Sequence, residues 1–183
     1  MKRFLMSASA MAVLSVAVVP AYAQEGGSDV TSIAVVDVRA LLTDSKAANS
    51  IQSQIKSHRD KFVKNLASEE KELREMEKTL IEEKDKSSAE EFGKKRRAFE
   101  EKLLATRKKA EERRRNLEKG AAEATNKLRK EITDIVQGIA DDKGYDLVLS
   151  SQNVIVGANK LNISKEVMDK LNKKVSKISV KIK

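Results

Sequence analysis

Apolar side chains recur at spacings of three, four and seven residues through most of the chain between residues 46 and 139. Because an α-helix makes one turn in about 3.6 residues, this spacing collects the side chains into one stripe along a helix. The pattern requires long helices that pack against each other through this stripe. Its members are Ile51, Ile55, Phe62, Leu66, Leu73, Met76, Leu80, Phe92, Phe99, Leu103, Thr106, Ala110, Leu117, Ala121, Ala124, Leu128, Ile132, Ile135 and Ile139.

A polar interruption divides the stripe in two. Residues 82–90 read EEKDKSSAE and contain one alanine but no other apolar side chain. Serine is a favoured helix N-cap, so Ser87 or Ser88 can begin a second helix. The sequence therefore predicts an antiparallel helical hairpin, the arm, at residues 46–139, with its tip near residues 84–89. One continuous helix in a parallel coiled coil is the alternative, which the polar break disfavours.

Short β-branched runs lie on either side of the helical region. Residues 33–38 (IAVVDV) predict one strand, and residues 145–149 (YDLVL) and 154–158 (VIVGA) predict a β-hairpin around a polar SSQN. Gly144 predicts the end of the preceding helix. Three strands of this length are marginal alone and leave two unpaired edges. The sequence therefore favours self-association through the strands.

The segments outside the arm are predicted to form one small body. Residues 24–45 and 140–183 supply it, and Ser164 is predicted to cap a short helix that covers the sheet. The basic, amphipathic stretch SKISVKIK at residues 176–183 has no predicted structure. The predicted fold class is thus α+β, mostly α, with a long antiparallel hairpin arm on a small β body.

The first 23 residues have the features of a secretory signal peptide. Two basic residues precede an uncharged apolar run at residues 4–19, and residues 21–23 (AYA) fit a cleavage site. A retained membrane anchor is the alternative, but the run is shorter than the roughly 20 residues that span a bilayer. The prediction is a cleaved signal and an exported, periplasmic chain that starts near Gln24. The chain has no cysteine, so no disulfide can stabilise it.

The second half of the arm concentrates positive charge. Residues 94–115 hold 11 basic and 4 acidic residues, in a chain with a formal net charge of +9. A solvated helix face with ion pairs four residues apart is one interpretation. The other is a positive surface that attracts acidic partners. Nucleic acid is disfavoured as a partner because aromatic residues for base stacking are missing, whereas lipopolysaccharide or an anionic membrane surface is a candidate.

The arm also has features that suit the binding of unfolded chains. Ala or Thr fills several stripe positions, and the charged Glu69 falls at another position of the same spacing. This predicts a weakly packed, flexible hairpin with partly exposed apolar side chains. Such a surface can hold unfolded chains without high specificity. Ordinary hairpin packing is the alternative interpretation of the same residues. The candidate contact residues are Ile81, Phe92, Arg96, Arg97, Phe99, Leu104, Lys108 and Lys109.

No pattern in the sequence points to catalysis. There is no phosphate-binding loop, no Cys/His metal spacing and no G-x-S-x-G motif, and His58 is the single histidine. Adjacent acidic residues such as Glu100 and Glu101 diverge by about 100° around a helix, so they do not converge on a substrate. We therefore expect no enzyme activity, no metal site and no cofactor.

Three segments carry a resemblance to a known family: IAVVDV, IADDKGYDLVLSSQNVIVGANKLNIS and EVMDKLN. With the order of the predicted elements, they make residues 31–175 similar to the Skp (OmpH-like) family of periplasmic chaperones. The resemblance implies a homotrimer with a barrel-like β body and three arms around a cavity. It also implies ATP-independent holding of unfolded outer-membrane proteins. The implied trimer-body residues are Val35, Val36, Leu147, Val148, Leu149 and Ile155.

Two other functions stay open at this point. A structural or tethering coiled-coil protein of the cell envelope would bind one stable partner and would not affect unfolded chains. A binder of nucleic acid or another anionic polymer would depend on residues 94–115, and its affinity would fall steeply with salt.

Overall fold

The structure is a computed structural model that describes residues 31–182. The predicted signal peptide at residues 1–23 lies outside the described residues. Four α-helices and two short strands make up the fold, with single 3-10 turns after the second strand at Ser151–Asn153 and Asn159–Leu161. The mostly helical α+β class is as predicted. In chain order the main elements are β1 (Ile33–Val36), α1 (Val38–Asp44), α2 (Lys46–Glu83), α3 (Ala89–Lys143), β2 (Leu147–Ser150) and α4 (Ser164–Lys174).

Helices α2 and α3 form the predicted hairpin, and their ends follow capping chemistry. Ser45 Oγ accepts a hydrogen bond from Ala48 N (3.2 Å) at the start of α2. At the start of α3, Ser88 and Glu91 form a capping box in which each side chain accepts from the other residue's backbone N–H. Gly144 ends α3 in the left-handed conformation (φ 65°, ψ 40°), which glycine adopts without steric cost.

Burial along the hairpin changes from its base to its tip. At the base, the α3 stripe is buried and belongs to the main core of the chain. Outward of Gly120 and Ile51, Thr106 and Leu73 are the buried residues of the described hairpin, and the other stripe members are half-buried. The outer arm is therefore a thin layer of two helices without a third element to cover it. The buried stripe residues at the base are Ile51 on α2 and Ala124, Leu128, Ile132, Ile135 and Ile139 on α3.

The two strands pair in parallel, because the hairpin between them returns the chain to its starting point. Ile33 lies opposite Leu147, and the register continues to Val36 opposite Ser150. The other edge of β1 is covered where Ile163 N donates to Val35 O (2.9 Å). β1 is thus central, and β2 has an outer edge to which no strand of residues 31–182 is bonded.

The predicted β-hairpin is wrong. Residues 151–153 form a 3-10 turn, and residues 154–158 form no strand, with Ile155 fully exposed. The physical reason is local: the chain enters the 3-10 turn directly after β2, where Val154 N donates to Ser151 O (3.2 Å), instead of a tight turn that would fold VIVGA back on β2. The outer edge of β2 therefore stays open, and the free edge of β1 is covered by the Asn162–Ile163 segment. Its β-branched residues favour an extended strand, but a strand forms only where the path of the chain brings it beside another strand to pair with.

Helix α4 packs on β1, as predicted, and also against α1 and α3. Ser164 is its first residue rather than its cap, and Ser164 Oγ accepts instead from Asp37 N (2.7 Å) between β1 and α1. Val167 and Leu171 of α4 are fully buried in the core. The unassigned tail also joins this core, since Ile178 and Val180 are buried within it.

Candidate functional site

Ion pairs cross the arm from one helix to the other. In each pair α2 provides the carboxylate and α3 provides the cation. Glu83 pairs with Lys95 near the tip, and Glu72 Oε2 lies 2.8 Å from Lys102 Nζ further down. From the tip toward the base, the paired residues have falling numbers on α2 and rising numbers on α3, as antiparallel helices require. The pairs therefore help to fix the register of two helices whose apolar contact is thin. Part of the basic stretch at residues 94–115 is therefore neutralised within the chain.

Glu69 is the centre of this cross-arm network. Its Oε1 lies 2.7 Å from Lys109 Nζ and 3.6 Å from Arg113 Nη1, and its side chain is 17% exposed. The hydrogen bond from Lys109 lowers the pKa of the Glu69 carboxyl; burial opposes this, and the charges of Lys109, Arg113 and Lys102 add to the lowering. Glu69 is thus held ionised in the folded arm.

The four basic residues predicted to contact partners divide into two kinds. Arg96 is paired with Glu100 on its own helix (2.9 Å), and Lys109 is paired with Glu69 across the arm. Arg97 and Lys108 have no ion pair within residues 31–182, and both are exposed. Their charges are therefore the ones available to a partner.

Arg97, Leu104 and Lys108 lie on one face of α3. At about 100° per residue, these positions fall within about 40° of one another around the helix axis. Leu104 is 66% exposed between the two cations. We call these three residues the outer stripe. It places an apolar side chain and two unpaired positive charges on the same exposed surface.

The four apolar residues predicted to contact partners differ in exposure. Ile81 is 71% exposed, like Leu104, so the predicted exposure of these two residues is confirmed. Phe92 and Phe99 belong to the apolar stripe and are half-buried. Near them, residues of α2 and α3 line a largely apolar cleft of about 290 Å³. The lining residues are Glu72, Glu75, Met76, Thr79, Leu80, Lys95 and Ala98.

The predicted trimer-body residues also differ in exposure. Val36 is buried in the core of its own chain, whereas Val35, Val148 and Leu149 are half-buried. Leu147 on β2 is 44% exposed. Ile155 and Val156 are almost wholly exposed in the loop that follows β2. Leu147 on β2 and the loop that follows β2 therefore both expose apolar side chains.

The described residues form neither a metal site nor a membrane-spanning helix. Within residues 31–182, no cluster of three or more His, Asp or Glu residues could hold a metal ion. None of the helices in that range is both long and apolar enough to cross a membrane. His58 is half-buried beside Phe62 and Ile182, in a cleft at the base of the arm.

The fold, a long helical hairpin on a small α/β body, is shared with a solved structure. It is that of a Caulobacter crescentus protein described as a candidate outer membrane chaperone (OmpH-like), with a TM-score of 0.77 and 14% identity, covering 86% of this chain and 93% of that one. The model of the outer membrane protein (OmpH-like) family matches residues 32–171, and the chain belongs to that family. A search of curated proteins gave no match.

One part of the arm base was missed from the sequence. The tail, residues 176–182, lies across α2 and α3, where Gln54 hydrogen-bonds to its backbone. The signal was present in the alternation of apolar and polar residues in SKISVKIK, which is typical of an extended segment with one buried face. The sequence did not reveal which surface that face would cover.

Proposed function

We propose that this protein is an ATP-independent periplasmic holdase chaperone that binds unfolded outer-membrane proteins and prevents their aggregation. The observation that carries the proposal is the outer stripe on a thinly packed arm. It combines exposed Leu104 with the unpaired charges of Arg97 and Lys108. Membership of the OmpH-like family and the fold shared with the Caulobacter protein support the same function.

The chemistry of this surface suits an unfolded client. Single exposed apolar side chains such as Ile81 and Leu104 each offer little contact area, so binding is the sum of many weak contacts and does not select one sequence. The unpaired cations raise the local concentration of acidic segments and speed encounter. Release then needs no nucleotide, because folding or transfer of the client competes with contacts that are individually weak.

The proposed assembly is a homotrimer formed through the body. β2 has an open edge, and exposed apolar side chains lie on β2 itself, at Leu147, and in the loop after it, at Ile155 and Val156. An edge of this kind is completed most simply by the same element of another copy. Three copies would set three arms around a common space, in which a client touches several outer stripes at once.

The first test is native mass spectrometry of residues 24–183, alone and after addition of an unfolded outer-membrane β-barrel protein diluted from urea. The expected species are three chains alone, and three chains with one client. Light scattering of the diluted client should fall in parallel. A trimer that neither binds the client nor lowers its scattering would favour the structural tethering protein instead. A monomer would contradict the proposed assembly.

A matched variant separates assembly from client binding. Leu147→Asp places a charge on the open edge of β2 without touching the arm, so it should give monomers with unchanged arm helicity. These monomers should bind client more weakly, since one arm makes fewer contacts than three. Leu147→Asp that still forms trimers would exclude the β2 edge as the interface.

A further inference from the structure

The tail, residues 176–182, follows α4 and runs over both helices at the base of the arm. Ile178 and Val180 are 4% and 6% exposed, so their side chains point into the groove between α2 and α3. Ile182 is half-buried and lines a cleft of about 180 Å³ together with Phe62 and Leu117. The tail thus fills a groove that the helices form and that extends toward the outer arm.

The groove recognises backbone rather than particular side chains. Gln54 Nε2 donates to Ile178 O (2.8 Å), and Gln54 Oε1 accepts from Val180 N (3.1 Å). One side-chain amide therefore binds two main-chain groups on the same edge of an extended segment. Any extended segment exposes a carbonyl and an N–H in this arrangement, so these two bonds do not depend on the tail's own residues.

The floor of the groove is shaped for close approach of a backbone. Gly120 of α3 is buried beneath the tail, and a Cβ atom at this position would lie 2.4 Å from Lys181 O. Contacts this short do not occur, so no side chain fits between α3 and the tail. A glycine in the middle of a helix weakens it, and here the glycine provides room for the passing chain.

The segment that occupies the groove has a period of two. Ile178, Val180 and Ile182 alternate with Lys177, Ser179 and Lys181 in the tail. This alternation gives an extended chain one apolar and one polar face. It is also the pattern of membrane-spanning β-strands in outer-membrane barrels, where lipid-facing and lumen-facing residues alternate.

The charge of the tail does not match the groove around it. The clefts beside the tail are lined by Lys61, Arg113 and Lys119. Arg113 and Lys119 are paired with Glu69 and Glu123, which leaves the charge of Lys61 without an ion pair within residues 31–182. The tail adds the positive charges of Lys177 and Lys181 to this basic surface. Burial of Ile178 and Val180 and the two bonds to Gln54 hold the tail in place, whereas neither Lys177 nor Lys181 has an ion pair within residues 31–182. A neutral or acidic strand of the same pattern would therefore fit the groove better.

We propose that the groove at the base of the arm, formed by Gln54, Gly120, Phe62 and Leu117, is a binding site for extended β-strand segments of client proteins. The tail occupies it in the resting state as an internal mimic of such a segment. A client strand with apolar residues at alternate positions displaces the tail and takes over its bonds to Gln54. This inference rests on the proposed holdase function for the identity of the ligand, and it adds a strand-specific site to the non-specific outer stripe.

The probe is the acidic peptide SEISVEIE carrying a fluorescein label, followed by fluorescence anisotropy with the full chain. Its matched control contains the same residues reordered so that the apolar ones are adjacent. The variant Ile178→Ser with Val180→Ser loosens the tail and leaves the groove intact. A docked tail lowers the apparent affinity by the fraction of time for which it fills the site. The variant should therefore bind the alternating peptide about tenfold more tightly than the wild type.

A second variant displaces the tail and also blocks the groove. Gly120→Ala puts a methyl group where the tail backbone runs, while alanine favours the helix and keeps α3 intact. This variant should release the tail yet lose peptide binding, and Gln54→Ala should weaken binding as well. Equal peptide affinity in the wild type, the tail variant and Gly120→Ala would overturn the proposal. So would equal binding of the reordered peptide.

Hydrogen exchange of the wild type provides an independent measurement if the tail variant loses helicity. The Val180 amide is bonded to Gln54 and should exchange slowly, and excess acidic peptide should speed its exchange. An unchanged rate at saturating peptide would overturn the proposal. The holdase test has a different readout, namely client aggregation. A chain that binds the peptide but does not protect clients would refute the proposed function and leave the groove as a strand-binding site.

Discussion

Glu69 of α2 and Lys109 of α3 bring their charged atoms to 2.7 Å across the arm, although 40 positions separate them in sequence. Arg113 lies one helical turn further along and approaches the same carboxylate at 3.6 Å. Leu73 and Thr106 are the buried residues of the outer hairpin, so ion pairs across the arm supplement a thin apolar contact between the helices. The register of the outer arm thus depends on charge as well as on the apolar stripe.

Glu69→Gln should lower the free energy of unfolding by about 1 kcal/mol at neutral pH, because it removes the charge shared by Lys109 and Arg113. The pKa of Glu69 is lower in the folded arm than its ordinary value of 4.5. The stabilisation is therefore complete above 4.5 and is lost as the pH falls through the lower, folded pKa. Urea unfolding followed by circular dichroism should show the wild type and the variant converging in acid.

The control for this measurement is Glu70→Gln. Glu70 is half exposed and lies 4.0 Å from Arg74 on its own helix, so its loss should change stability little at any pH. A constant difference between Glu69→Gln and the wild type from neutral to acid pH would contradict the assigned role of the ion pair.

Leu128→Ala should destabilise the protein by about 2–5 kcal/mol, because it leaves a cavity at the base of the hairpin. Leu128 is 1% exposed in the main core. Leu104→Ala removes the same atoms from the exposed outer stripe and should cost less than about 0.5 kcal/mol. Urea midpoints of the two variants provide the comparison. Similar losses from both would mean that Leu104 is buried in the assembled protein.

Ser88→Ala should loosen the tip of the arm, since Ser88 Oγ accepts the bond from Glu91 N (3.3 Å) that begins α3. Loss of such a cap costs about 1 kcal/mol, and at the tip the cost falls on local opening. Hydrogen exchange should become faster for the first turn of α3 and remain unchanged near Leu128. Ser87→Ala is the matched control, and equal exchange in the two variants would exclude the capping box as the cause.

Arg97→Glu with Lys108→Glu should slow the capture of an unfolded, acidic β-barrel protein, because it reverses both unpaired charges of the outer stripe. Stopped-flow fluorescence of a labelled client gives the capture rate, and the difference should shrink in high salt. The control is Lys130→Glu with Lys165→Glu, which changes the net charge by the same amount. Both of these lysines lie outside the outer arm and are paired with Asp134 and Asp169. Equal slowing by both pairs would mean that only net charge matters.

The helices could be predicted from the sequence because each signal for them is local. The spacing of apolar residues predicts the stripe. The ends of α3 depend on residues close in sequence: Ser88 and Glu91 form the capping box at its start, and Gly144 ends it in the left-handed conformation. The predicted exposure of Ile81 and Leu104 follows from the same periodicity, since both lie off the stripe. Pairing of Lys109 but not Lys108 depends on which α2 residue lies opposite, and that is decided by the register between helices.

The body was harder to predict because its contacts are distant in sequence. VIVGA has strong strand propensity, yet the 3-10 turn at Ser151–Asn153 replaces the tight turn that would have folded it back on β2. Ser164 is a good N-cap residue, but its hydroxyl binds Asp37 N instead. The tail alternates as an extended segment should, whereas its contact with Gln54 and Gly120 exists only after the hairpin has formed.

The parallel pairing of β1 with β2 sets an order of events for each new chain. Ser32 and Asp146, which are bonded where the two strands begin, stand 114 positions apart. A hairpin arm is made of contacts closer in sequence, and such contacts form sooner than those that close a long loop. Because a chain is made from its N-terminus, β1 stays unpaired until the residues of the arm and of β2 have followed it. Only a chain completed through β2 has the open edge on which the proposed assembly depends, so that assembly would exclude truncated chains.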